Sequence, residues 1–170
     1  MELKSALAEL KASSEFKEWF KNNDKTYFSY AFAMIEDNAQ SDWQIGYYDK
    51  NKDKITTFII KEKEIIINPE EDIFKKGDME VKKIDADKIK LELKNILSEA
   101  EKFQKGKYPK EIVIKKIIIL QNLENLENVW NITFFTQSFN TLNIKIRADD
   151  GKIVEDTLTP LFELDASSQK

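Results

Sequence analysis

The chain has neither cysteine nor histidine, so the chemistry open to it is that of carboxylates, lysines, tyrosines and serines. Disulfides, thiolate nucleophiles, Cys/His zinc sites and imidazole bases are excluded. The opening spacing of a calcium loop occurs at Asp49, Asn51 and Asp53. An EF-hand needs glycine at its sixth position and a bidentate glutamate at its twelfth. Lys54 and Ile60 stand there instead, and lysines at 50, 52 and 54 oppose a cation, so this stretch reads as a turn. Carboxylates also gather at Glu62 and Glu64, at Glu70, Glu71 and Asp72, and at Asp149 and Asp150. A pair could do acid–base work if burial split its pKa values. No spacing places these groups in a pocket, and solvated turns are their expected home. Ser13 and Ser14 have no activating base singled out by spacing, so capping a helix is their simpler role. Asn131-Ile132-Thr133 matches a glycosylation sequon but falls inside an expected core strand. The chain is therefore read as non-enzymatic, with no catalytic residue, no metal ligand and no cofactor.

Aromatic residues are the remaining candidates. Trp43-Gln-Ile-Gly-Tyr-Tyr aligns without a gap on Trp130-Asn-Ile-Thr-Phe-Phe, which places Tyr47 on Phe134 and Tyr48 on Phe135. Twelve residues past each tryptophan stands Ile55 or Leu142, and sixteen past stands Ile59 or Ile146. Such an echo suggests one unit used twice. Tyr47, Tyr48, Phe134 and Phe135 are the expected binding residues, as outward rings on alternating strands.

Composition limits the partners. The 170 residues are 41% hydrophobic and 34% charged, in keeping with a folded chain. Net charge is −4, with both signs interleaved, so a nucleic-acid footprint is not expected. Arg147 is the sole arginine, which nearly removes bidentate recognition of phosphate. No apolar run reaches membrane-span length and residues 1–12 do not form a signal peptide. As written the chain reads as cytoplasmic; an extracytoplasmic home would follow if an upstream signal or anchor had been removed.

Elements follow from periodicity. Residues 2–22 read as helix, interrupted at Ser13-Ser14, with Leu3, Leu7 and Leu10 on one stripe. Strands are expected at 26–35, 43–48, 55–60 and 65–67, the last ended by Pro69. A linker is expected over 70–84, with a turn at Gly77-Asp78. A helix capped by Asp85 or Asp87 should run from Ile89 through Phe103 and stop at Gly106. Residues 112–120 are almost continuously apolar, so that strand is expected to be buried on both faces. Strands at 130–135, 142–146 and 152–154 follow, with Gly151 free to take positive φ in the turn before the last. The expected fold is α+β: two tandem units, 1–76 and 77–170, each one helix on a four-stranded antiparallel meander.

The second half, with Trp130-Asn-Ile-Thr-Phe-Phe and then Leu142-Asn-Ile-Lys-Ile-Arg-Ala-Asp-Asp-Gly-Lys-Ile153, resembles the PepSY domain family. Asp149, Asp150, Gly151, Lys152 and Ile153 loosely fit that family's turn, whereas the first half has Lys61-Glu-Lys-Glu64 and no glycine. The resemblance implies a non-enzymatic module, often secreted or membrane-tethered, that binds or restrains a partner such as a peptidase. The expected function is thus protein binding or self-association; the alternative is a small-ligand carrier with a cavity between helix and sheet.

Overall fold

The computed structural model describes residues 1–62, 64–72 and 80–162. The chain opens with α1 (Leu3–Ala12) and α2 (Ser14–Lys21), separated at Ser13 as the sequence implies. The Ser13 hydroxyl donates to the Leu10 carbonyl at 2.8 Å and accepts from the Phe16 N–H at 3.1 Å, so one side chain ends a helix and caps the next. Leu3, Ala6, Leu7 and Leu10 form the buried stripe of α1, and Phe16 is the buried residue of α2.

Among the described residues nine strands follow: β1 (Tyr27–Glu36), β2 (Ala39–Gln40), β3 (Trp43–Asp49), β4 (Lys54–Ile60), β5 (Ile65–Asp72), β6 (Val113–Leu123), β7 (Glu127–Thr136), β8 (Asn140–Arg147) and β9 (Ile153–Pro160). They form one antiparallel sheet in the order β5-β4-β3-β1-β6-β7-β8-β9, with β2 paired to β1. This corrects the expected pair of helix-plus-meander units. Residues 30–36 of β1 pair with 115–121 of β6, so the strands of both halves belong to a single sheet. The expected boundary at 76/77 and the Gly77-Asp78 turn lie outside the described residues.

The apolar stripes of the helices are buried on one face of this sheet, with Trp43, Ile45, Phe58, Ile118, Trp130, Ile132 and Ile144 at its centre. The two indoles meet there, with ring centroids 6.3 Å apart. Their surroundings differ. Trp43 Nε1 donates to the Met1 carbonyl at 2.9 Å, whereas Trp130 Nε1 is sealed with no hydrogen-bond partner among the described residues. The gapless echo also slips by one residue in the next strand. Trp43 pairs with Ile60, seventeen residues on, but Trp130 pairs with Ile146, sixteen on. Because side chains alternate across a strand, Ile59 therefore lies on the opposite face from Ile146.

Helix α3 (Leu93–Lys107) begins later than periodicity implies. Asp85 caps only a 3-10 turn over Ala86–Lys88, and the N–H groups of Lys90 and Leu91 go to the Ala148 carbonyl rather than into a helix. Glu2, 91 residues away, accepts from the Leu93 N–H at 3.2 Å and so places a carboxylate at the α3 N-terminus. Gly106 lies within α3, not beyond it; the helix ends at Lys107, with Tyr108 as its C-cap immediately before Pro109. Strand β5 continues through Pro69, which is tolerated because β5 is the sheet's edge. Gly151 takes φ 75°, as its turn requires.

Gly46 is fixed by contact. A Cβ there would lie 2.0 Å from Tyr30 Cε1, because the Tyr30 ring lies across β3 and its hydroxyl shares a 2.7 Å hydrogen bond with Thr57. Gly46→Val should destabilise the protein by about 2–3 kcal/mol through overpacking. Adding Tyr30→Ser should recover part of that loss, because the two residues collide directly; urea midpoints of the single and double variants check this. Glu2→Ala should cost about 1 kcal/mol in the same assay, the worth of a helix N-terminal cap.

Candidate interaction surface

Alternation gives the sheet a second face on which no described helix buries its stripe. One cross-strand row on that face runs Ile66, Ile59, Gln44, Phe32, Ile119, Asn131, Lys145 and Glu155. The neighbouring row runs Met34, Ile117, Thr133, Asn143 and Thr157. The face is divided by chemistry. On β4, β1 and β6 it carries Ile59, Phe32, Met34, Ile117 and Ile119, all half-buried. On β7 and β8 it carries a polar ladder that satisfies itself: the Asn143 amide donates to Asn131 Oδ1 at 2.6 Å and to Thr133 Oγ1 at 2.9 Å, and Lys145 pairs with Glu155 at 2.7 Å. The strand at 112–120 is therefore not buried on both sides: Ile118 and Leu120 are sealed, while Ile117 and Ile119 keep contact with solvent.

The four expected binding rings are divided by the same alternation. Tyr47 and Phe134 belong to the helix-covered core, with 5% and 0% exposure. Burial pushes the Tyr47 phenol up to about 12. Tyr48 lies on the other face but is also buried, edge-on to Tyr27, with its hydroxyl donating to Asp53. Phe135 alone is half-exposed, opposite Lys115 and Thr141 on the helix-free face. The outward set is corrected accordingly. The half-exposed apolar residues of that face include Phe32, Met34, Ile59, Ile66, Ile117, Ile119 and, at its end, Phe135. Their signal was present in the sequence as strands apolar at both odd and even positions, as in Ile117-Ile-Ile-Leu120.

The other chemical candidates act within the fold. Asp49 accepts from the Asn51 and Lys52 N–H groups and shapes the β3–β4 turn. Arg147 grips Asp149 through two hydrogen bonds, of 3.0 and 2.6 Å, and holds its carboxyl at about 2. Among the described residues no group of three or more acidic side chains is placed to hold a metal. A groove of about 660 Å3 lies between the end of α3 and the start of β6, lined in part by Ile35, Gln104, Val113 and Lys116. Two of its polar side chains already have partners. Lys116 pairs with Glu101, and the Gln104 amide donates to the Tyr108 and Glu111 carbonyls at 2.8 Å. Glu111 organises the β7–β8 turn: its carboxylate accepts from the Thr136 and Ser138 hydroxyls and the Asn140 amide.

No protein-family model and no curated protein sequence matches this chain. Among solved structures the chain is similar to a candidate lipoprotein from Clostridium difficile 630, with a TM-score of 0.57 and 12% identity over 85% of this chain and 90% of that one. At that identity the likeness concerns the fold. No helix among the described residues is long and apolar enough to cross a membrane.

The hydrogen bonds from Ser138, then Thr136, hold the Glu111 carboxyl below its ordinary value. A depressed carboxyl contributes stability above its unfolded pKa and loses it as pH falls through the folded one. The stability difference between wild type and Glu111→Gln should therefore be present at pH 7 and fade below about pH 4, the ordinary glutamate range. Urea titrations of both proteins at several pH values check the sign.

Proposed function

We propose that this protein is a non-catalytic binding module whose docking surface is the apolar half of the helix-free sheet face. One observation carries the reading: Phe32, Met34, Ile59, Ile117 and Ile119 stay half-exposed on that face, although the helix-covered face alone already provides a sealed core. The occupant is a segment of a protein partner. One row of the stripe runs from Ile66 on β5 to Ile119 on β6, interrupted by Gln44 on β3, and a second row, Met34 and Ile117, crosses β1 and β6, so the patch spans roughly 7 Å by 20 Å at ordinary strand spacings. That is far below the roughly 800 Å2 per partner of a stable dimer, but it suits the apolar side of one helix or extended segment. A peptidase is the kind of partner that the PepSY resemblance implies. In this reading the module works outside the cytoplasm, a setting supported by the fold likeness to a candidate lipoprotein.

Photo-crosslinking tests the surface. A benzophenone amino acid at Phe32 should join the protein to a partner from extract of its source cells, and the same group at Asn143, on the polar half, should not. Adding Ile119→Lys should abolish the crosslink at 32. Labelling that is equal at 32 and 143, absent at both, or only between two copies of this chain would overturn the reading.

A second reading, a small-ligand carrier, is favoured by a cavity of about 500 Å3 beside Tyr47, at the edge of the helix-covered core.

A further inference from the structure

This cavity is built where the end of α1, the start of β1, the later part of β3 and residues 83–87 approach one another. Phe28, Tyr47 and Ile84 give it apolar walls, and Lys11, Lys83, Asp85 and Asp87 give it charge. The wall at 81–85 is pinned at four points. Ile84 N–H donates to the Phe28 carbonyl at 2.8 Å, the Asn122 amide to the Lys83 carbonyl at 2.7 Å, the Asn128 amide to the Asp85 carbonyl at 2.8 Å, and the Tyr27 hydroxyl to the Val81 carbonyl at 2.7 Å. The cavity therefore has fixed walls, as ligand sites generally do.

Tyr47 is the telling residue. Its ring is packed by Phe16 at 4.9 Å, Phe58 at 5.7 Å and Trp19 at 5.8 Å between centroids. Its hydroxyl has no hydrogen-bond partner among the described residues, yet Trp130 Nε1 is the one unpartnered side-chain polar atom there that is wholly sealed. Tyr47 as a whole keeps a small contact with solvent, 5% of its surface, and is one of the residues that line the cavity. A hydroxyl without a protein partner is left to water, and a bound polar group can take the water's place. Around it the charges balance. Lys11 and Lys83 have no carboxylate partner among the described residues, and of the two aspartates Asp85 uses one oxygen to accept from the Asp87 N–H at 3.1 Å. A simple anion would meet two aspartates and a simple cation two lysines. A molecule carrying both charges on an apolar body meets neither conflict.

We propose that the Tyr47 cavity binds a small zwitterion with an apolar side chain, an apolar α-amino acid in chemical class. Its side chain would lie against Phe28 and Ile84, its carboxylate would face the lysines and the Tyr47 hydroxyl, and its ammonium would face the aspartates. This rests on the carrier reading, and the two can fail separately. The experiment titrates the 15N-labelled full chain with L-phenylalanine, 3-phenylpropionate and phenethylamine, following amide shifts. The expected result is saturable shifts at Phe28, Tyr47 and Ile84 with phenylalanine, at least about tenfold weaker binding of both analogues, and a five- to tenfold loss with Tyr47→Phe, about one hydrogen bond. Lys83→Met, at an exposed position, should weaken phenylalanine without weakening phenethylamine. Equal binding of either analogue would sink the zwitterion and leave a carrier. No saturable shift with any of the three, or shifts that ignore Tyr47→Phe, would sink the site itself.

Discussion

The antiparallel ladder between β1 and β6 is the constraint on which the rest of this structure depends. Seven residue pairs, from Tyr30 with Gln121 to Glu36 with Lys115, make one sheet of strands from both halves of the chain. That pairing puts Ala31 and Ala33 beside Leu120 and Ile118 at the centre of the covered face. The two indoles meet over this centre, 6.3 Å apart, although 87 positions separate them in the chain. Burying two such rings contributes several kcal/mol each, more than local strand propensity supplies. The N-terminal segment completes the join. Met1 accepts from Trp43 and Glu2 caps α3, so the first residues touch both halves.

The same ladder produces the uncovered stripe. A central strand must satisfy both neighbours through its backbone, so β1 and β6 are strongly extended and rich in apolar residues on both sides. Helices seal one side only. What remains on the other is apolar near β1 and β6 and polar from β7 outward, where asparagine, threonine and a Lys–Glu pair complete one another's hydrogen bonds. The polar half needs nothing added, whereas the apolar half leaves hydrocarbon in water. Tyr30 lies over Gly46 and reaches Thr57, and so covers β3 in the row beside that stripe.

Much of this was legible in the sequence, and the misses have physical causes. The Ser13 break, the strand cores and the Gly151 turn follow from local chemistry, and local chemistry decided them. The start of α3 did not follow from periodicity, because Ile89 is buried by tertiary contact while the neighbouring N–H groups bond to Ala148. Strand β5 survives Pro69 because it is an edge, and edge status is a property of the whole sheet. The larger error was topological. Two similar stretches in sequence imply similar strands, but nothing local says whether their edges will meet. The candidate rings failed for a related reason: adjacent Tyr47 and Tyr48 must point to opposite faces, so a set chosen as consecutive pairs could not form one surface.

Disulfide trapping across the central ladder tests the account most directly, because the chain has no native cysteine. Met34 and Ile117 are paired in register on the helix-free face, and directly opposed Cβ atoms in such a ladder lie about 4.5–5.5 Å apart, within reach of a bridge after small adjustment. A Met34→Cys/Ile117→Cys variant should oxidise to an intramolecular disulfide in a folded monomer. Two persistently free thiols, or bridges formed only between chains, would mean that β1 and β6 are not partners and that the single sheet is wrong.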